Sequence, residues 1–227
     1  MADISEYLKP GPQTQLTSLV YEHAEKASDT ELEYLDEERL PETAISVYKT
    51  CKYISDLTHI EGFDPNAKTD AEKESNEVLK DSVFRQRDLD QILREGPYPT
   101  CSDVGVLFRG LLIAQEVSVA YVEAFHEDYL FKRAFHTHSF GRVFYNDKSL
   151  IVDPMEEPII VEQEKEILPY TIFREGLDSW DIGIYKEEDL HRLRRENLSP
   201  LLERYENNLR TVFQEKLEDL EMLKKDI

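Results

Sequence analysis

The sequence predicts an α+β fold: a buried helix that starts at Cys101, packed on a small antiparallel sheet, with extra helices at both ends. Three observations predict it. Apolar residues recur at helical spacing between Leu16 and Ile60, and again after Lys186. Between them, VSVAYVEAF, HSFGRVFYN and SLIVDP have the β-branched, aromatic and partly alternating composition of strands. With 227 residues and 40% apolar content, the chain makes one generous domain, or one domain with an appended helical piece, with a real core.

Each element follows from local chemistry. Residues 1–13 read as a loose arm, with Pro10, Gly11 and Pro12 ahead of the first apolar pattern. Leu16, Leu19, Val20 and His23 share one helical face, and Ile45, Tyr48, Cys51, Ile54 and Leu57 share another; Pro41 separates the two. The polar stretch 61–78 reads as a loop followed by an exposed helix. A short helix within 81–95 carries Val83, Phe84, Leu89, Ile92 and Leu93 and stops at Gly96-Pro97. Thr100-Cys101-Ser102-Asp103 has the form of a capping box, and Val104, Leu107, Phe108, Leu111 and Leu112 then fall on one stripe. Asn146-Asp147-Lys148 reads as the turn of an antiparallel hairpin, and PYTIFR as a further strand. The tail reads as two helical segments divided at Pro200. The second sets Leu202, Tyr205, Leu209, Val212, Phe213, Leu217, Leu220 and Leu223 on one face, for docking onto the domain or, as the alternative, for a dimer contact. The expected organisation is an N-terminal helical region over 1–80 packed on the core, a catalytic core over 81–185 and C-terminal helices over 186–227.

Composition narrows the partners. A net charge of −21 repels phosphate backbones and anionic headgroups, so neither nucleic acid nor a membrane surface is an expected partner. A basic peptide or protein substrate is compatible with this charge, which by itself assigns no substrate. Two cysteines make no disulfide framework, and the first residues lack the basic start and apolar run of a signal peptide. No apolar stretch approaches the roughly 18 to 20 residues of a membrane span. Cytoplasmic is the expected localisation.

One constellation points to chemistry: Cys101 at a helix start, His138 in one strand and Asp153 at the end of the next. The thiolate is the reactive form of cysteine, and it is favoured by a helix N-terminus and by a nearby imidazolium. His138, Phe140, Arg142 and Phe144 share a strand face; if that face meets the cysteine helix, the imidazole reaches the sulfur. Asp153 then orients the ring by accepting its other N–H.

These residues resemble a family. PTCSDVGVLFRGLLIAQEVSVAYVEAF looks like the nucleophile segment of the transglutaminase-like superfamily, where a cysteine begins a buried helix that leads into a strand. HSFGRVFYNDKSLIVDP resembles its second segment: His-x-aromatic, an aromatic-ended strand, a short turn and a strand closing on Asp-Pro. GLDSWDIGI is similar to a tail seen in prokaryotic members. The resemblance spans roughly Phe84 to Tyr185 and implies a papain-like core in which Cys101 is the nucleophile, His138 the general base and acid, and Asp153 its orienter. Pro99, Phe140 and Ser149 stand where the family usually carries other residues.

The expected activity is therefore acyl transfer through a thioester, giving a protease or amidase when water is the acceptor and a transglutaminase when an amine is. No cofactor and no metal are expected. The competing reading is a non-catalytic module that keeps the fold and binds peptide. His136 is an alternative base, set second because only His138 precedes the x-aromatic pattern. A zinc site from His126, His136, His138 and Cys101 has no C-x-x-C or H-E-x-x-H spacing behind it. Glu123 reads as an edge charge in an apolar strand, Trp180 as a packing plug and Cys51 as helix core.

Overall fold

The computed structural model describes residues 4–32, 40–146, 148–155 and 158–225, with side chains as far as residue 215. Helices α1 (Ser18–Ser28), α2 (Glu42–Ser55), α3 (Asp70–Val83), α4 (Leu89–Glu95) and α5 (Cys101–Ala114) come first. Strand β1 (Val119–His126), the short α6 (Glu127–Leu130), β2 (Thr137–Tyr145), β3 (Lys148–Asp153), β4 (Ile159–Val161) and β5 (Tyr170–Gly176) follow, and α7 (Glu187–Lys225) closes the chain. The fold is α+β. All strand pairings are antiparallel, in the order β4-β3-β2-β1-β5.

α5 is the axis of the molecule. It is buried from Ser102 to Ile113 on all sides rather than along one stripe, because β1 and β2 cover one flank while α1, α2 and α4 cover the other. Such enclosure forces its polar residues to find partners. Arg109, 0% exposed, donates to the carbonyls of Val119 (3.0 Å) and Lys9 (2.6 Å) and to the Thr14 hydroxyl (2.6 Å). Burial depresses its guanidinium to a pKa of about 10.

Several expectations change. Residues 4–13 are not a loose arm, and 1–3 lie outside the described residues. A short 3-10 helix covers Ile4–Leu8, and Gln13 and Thr14 are buried because Asp178 accepts their backbone N–H groups at 2.7 and 3.1 Å. The short helix expected over 81–95 starts only at Leu89, since α3 runs on to Val83 and Arg85 turns the chain at φ +56°. Pro200 does not divide the tail; α7 continues through it, with Leu190, Leu193, Leu201 and Tyr205 packed on both sides of the lost hydrogen bond. Of the C-terminal stripe, Tyr205 is buried and Phe213 is 60% exposed, while Leu217, Leu220 and Leu223 lie outside the described side chains. The hairpin turn lies between Tyr145 and Lys148, with Asn146 at φ +46°; Asp147 lies outside the described residues. Strand β4 has no counterpart in the sequence reading. Among the described residues, no helix is long and apolar enough to cross a membrane.

Candidate active site

Cys101 is the first residue of α5 and half-buried. Thr100, in extended conformation, is the N-cap, but its side chain makes no capping hydrogen bond, so the expected box does not form. The reason is electrostatic. Asp103 is drawn to the buried guanidinium of Arg87 and accepts from the Tyr98 N–H at 2.9 Å, a charge-assisted pairing that outcompetes the cap amide. Thr100 instead pairs with the Ser102 hydroxyl at 2.9 Å. The first-turn amides beside Cys101 are therefore left uncapped by Thr100.

β2 places the imidazole. Its register with β1 sets Ala124 opposite His138 and Tyr121 opposite Gly141. Gly141 faces α5 so closely that a Cβ there would lie 2.3 Å from Phe108, and Ser139 faces Gly105. The face on which α5 lies thus carries Ser139 and Gly141, whereas His138 and Phe140 point to the other side. The expectation that the histidine face would meet the helix is corrected accordingly: that face lies away from the packed flank of α5, and Cys101, at the N-terminal end of α5, is within electrostatic reach of His138.

His138 Nε2 and Asp153 Oδ2 are 2.8 Å apart, with the two side chains 16% and 20% exposed. Asp153, the last residue of β3, also accepts the Met155 N–H through Oδ1 at 3.2 Å, which fixes the carboxylate. Burial works against a charged His138, but hydrogen bonds to Asp153 and to Cys101, and the negative charge of both, outweigh it and raise the imidazole to a pKa of about 10. Since Nε2 is committed to Asp153, Nδ1 is the nitrogen left for the sulfur.

His136 goes elsewhere. It is exposed, stacks on His126 at 4.2 Å and meets the Tyr170 hydroxyl through Nε2 at 2.8 Å. Tyr170 was unremarked in the sequence, yet its ring lies 5.4 Å from that of His138 and 5.6 Å from that of Phe140, lining the site from β5. Trp180 is an anchor, its indole N–H donating to the Arg85 carbonyl at 2.7 Å. Cys51 is 1% exposed, and burial pushes its thiol far up.

Glu123 is no edge charge. It is 0% exposed and holds Arg85 in a bidentate pair at 2.8 Å, joined by the Tyr121 and Ser139 hydroxyls at 3.0 and 3.1 Å. Burial works against the charge on Arg85, but Glu123 and Tyr121, with Cys101 also within electrostatic reach, hold it well above its ordinary value. A carboxylate interrupting an apolar strand is itself the signal for a buried partner, although nothing in the sequence said which cation it was. A cavity of about 340 Å³ opens between α6 and α7, lined by Tyr129, Lys132, Phe135, His191 and Arg195 among others, and includes none of the trio.

No protein-family model matches the chain, and no curated protein matches it. A solved structure from Cytophaga hutchinsonii, described as a "putative cysteine protease", is similar over 81% of this chain at 14% identity, with a TM-score of 0.46. The chain spans half the length of that structure, 50%.

Proposed function

We propose that the chain is a thiol acyl-transfer enzyme acting on a peptide or carboxamide bond, with Cys101 as nucleophile, His138 as acid and base, and Asp153 as the residue that orients His138. The observation that carries this is the imidazole of His138, whose Nε2 lies 2.8 Å from Asp153 and whose charged form is favoured by both Asp153 and Cys101, the latter at the start of a buried helix. A ring held this way keeps a proton at neutral pH and stabilises a thiolate beside it.

The thiolate attacks the carbonyl carbon, and the C–O electrons move onto the oxygen. Backbone N–H groups of the uncapped first turn, that of Cys101 above all, stabilise the oxyanion. His138 gives its proton to the leaving nitrogen as the C–N bond breaks, leaving a thioester. Neutral His138 then takes a proton from water, whose oxygen attacks the thioester, and the carboxylic acid leaves as the thiolate–imidazolium pair is restored. Hydrolysis is the favoured outcome because water needs no second binding site; an amine acceptor would make the same site a transglutaminase.

The test is alkylation by iodoacetamide at pH 6, located by mass spectrometry. Labelling should fall on Cys101 and not on buried Cys51. It should exceed that of a free thiol by at least about tenfold, since a thiol of ordinary pKa is almost wholly protonated there. His138→Ala should abolish the excess. Labelling no faster than a free thiol, and unchanged by His138→Ala, would sink the enzyme reading in favour of a peptide-binding module. With a peptide substrate, products formed equally with and without added primary amine identify water as the acceptor.

A further inference from the structure

Beside the trio, but outside it, lies a second cluster: His126 at the end of β1, Asp128 on α6 and His136 just before β2. One donor atom from each lies within 4.8 Å of the others. The backbone holds them together, since the His126 N–H donates to the His136 carbonyl at 3.1 Å. His126 Nδ1 and Asp128 Oδ2 are 3.5 Å apart. Two donors on a tetrahedral ion with bonds of about 2.0–2.1 Å stand roughly 3.3 Å from one another, so this pair needs little movement to share one. The Tyr170 hydroxyl on His136 Nε2 is the kind of outer partner that fixes a ligating imidazole, and it leaves Nδ1 as the free donor.

The stacking of the His126 and His136 rings (4.2 Å, 18° between planes) must open, because both in-plane lone pairs reach one ion only when a ring turns, and two further contacts must yield. The Asp128 N–H donates to His126 Nδ1 at 3.1 Å, and Arg133 approaches Asp128 at 3.6 Å. The first is one hydrogen bond exchanged for a metal bond. The second involves a side chain 64% exposed, which turns to water at little cost.

We propose that His126, Asp128 and His136 form a binding site for a divalent transition-metal ion, Zn²⁺ in the first instance, with the fourth position open to water. Two imidazoles and one carboxylate are a nitrogen-rich donor set that suits zinc and disfavours magnesium and calcium, which seek oxygen ligands. The net charge of −21 raises the local concentration of any cation. His138 is not a ligand, because its Nε2 is engaged by Asp153.

The experiment is a calorimetric Zn²⁺ titration of the full chain, stripped with chelator, in a Cys101→Ala background that removes the other metal-binding candidate. One Zn²⁺ per chain is expected, with the same affinity as in the unmodified protein. His136→Ala and Asp128→Asn should each weaken it by at least about tenfold, while the remote His59→Ala should leave it unchanged. A Zn²⁺-induced rise in melting temperature should appear in the parent and vanish in the two ligand variants, whose own melts establish that they fold. The inference is overturned by absence of stoichiometric binding, by equal affinity in both ligand variants, or by loss of binding on Cys101→Ala. None of these outcomes bears on thiol reactivity, so the site stands or falls apart from the proposed enzyme activity.

Discussion

His138 is raised from the ordinary 6.5 to about 10, and the sign of that shift has consequences for both stability and reactivity. Protonated His138 stabilises the folded state. That contribution is fully present below pH 6.5, where the unfolded chain is also protonated, and is lost as pH rises through about 10. Reactivity that depends on the imidazolium should therefore hold across neutral pH and fail on the alkaline side. In ring-nitrogen NMR titration, in buffer containing chelator, His138 should remain protonated to about pH 10. Asp153→Asn, which removes a carboxylate at 2.8 Å, should bring its midpoint down by about one to three units. A His138 midpoint near 6.5 in the unmodified protein, or one indifferent to Asp153→Asn, would show that the pair does not act as a unit.

The helix α5 and strand β2 decide whether this geometry exists at all, because the register of their packing fixes where His138 points. Gly141 is the contact on which that register turns, facing the fully buried ring of Phe108. Gly141→Ala would bring a methyl to 2.3 Å from the ring edge, and with α5 enclosed on all sides the ring has no open space to enter. The expected cost is about 1–3 kcal/mol, measured by urea unfolding; a variant as stable as the parent would mean that α5 slides freely on the sheet. The elements themselves were legible in the sequence. Strand composition located β1, β2, β3 and β5, and helical spacing located α1, α2 and α5, because burial on one or both faces leaves a periodic trace. What periodicity does not carry is partner choice. The Thr100–Asp103 spacing fits a capping box, but Arg87, from the turn before α4, claims the carboxylate. Glu123 reads as an edge charge until Arg85 arrives from the turn after α3. Of the candidate site, the order Cys101, His138, Asp153 was visible, whereas Tyr170 was not, since an aromatic opening a strand is the same letter whether it faces a cleft or the core. Pro200 misled in the opposite direction, a local breaking signal overridden by packing on both sides.

Across the whole molecule, the beginning of the chain, its middle and the approach to α7 are joined at one buried carboxylate. Asp178, 0% exposed, accepts from the Gln13 and Thr14 N–H groups, the Thr14 hydroxyl and the Asp181 N–H. Gln13 passes the connection on: its side chain donates to the Arg87 carbonyl at 2.7 Å and its own carbonyl accepts the Leu89 N–H at 2.9 Å. Arg87 in turn holds Asp103, two residues from Cys101. The N-terminal segment is thereby part of the scaffold that fixes the start of α5, although it contributes nothing to the trio. Asp178→Ala removes one acceptor and strands several buried donors, each costing about 1–3 kcal/mol when left unpaired, so the protein should lose about 2–4 kcal/mol of stability in total after partial hydration of the gap. Asp178→Asn keeps one carbonyl oxygen in place and should lose less. Hydrogen exchange locates the effect: the Gln13 and Thr14 amides should lose protection in Asp178→Ala, with a smaller loss spreading through α4 to the first turn of α5. If those two amides stay as protected as in the parent, the Gln13 and Arg109 contacts hold the segment without Asp178, and the path from Asp178 to the cysteine helix does not operate.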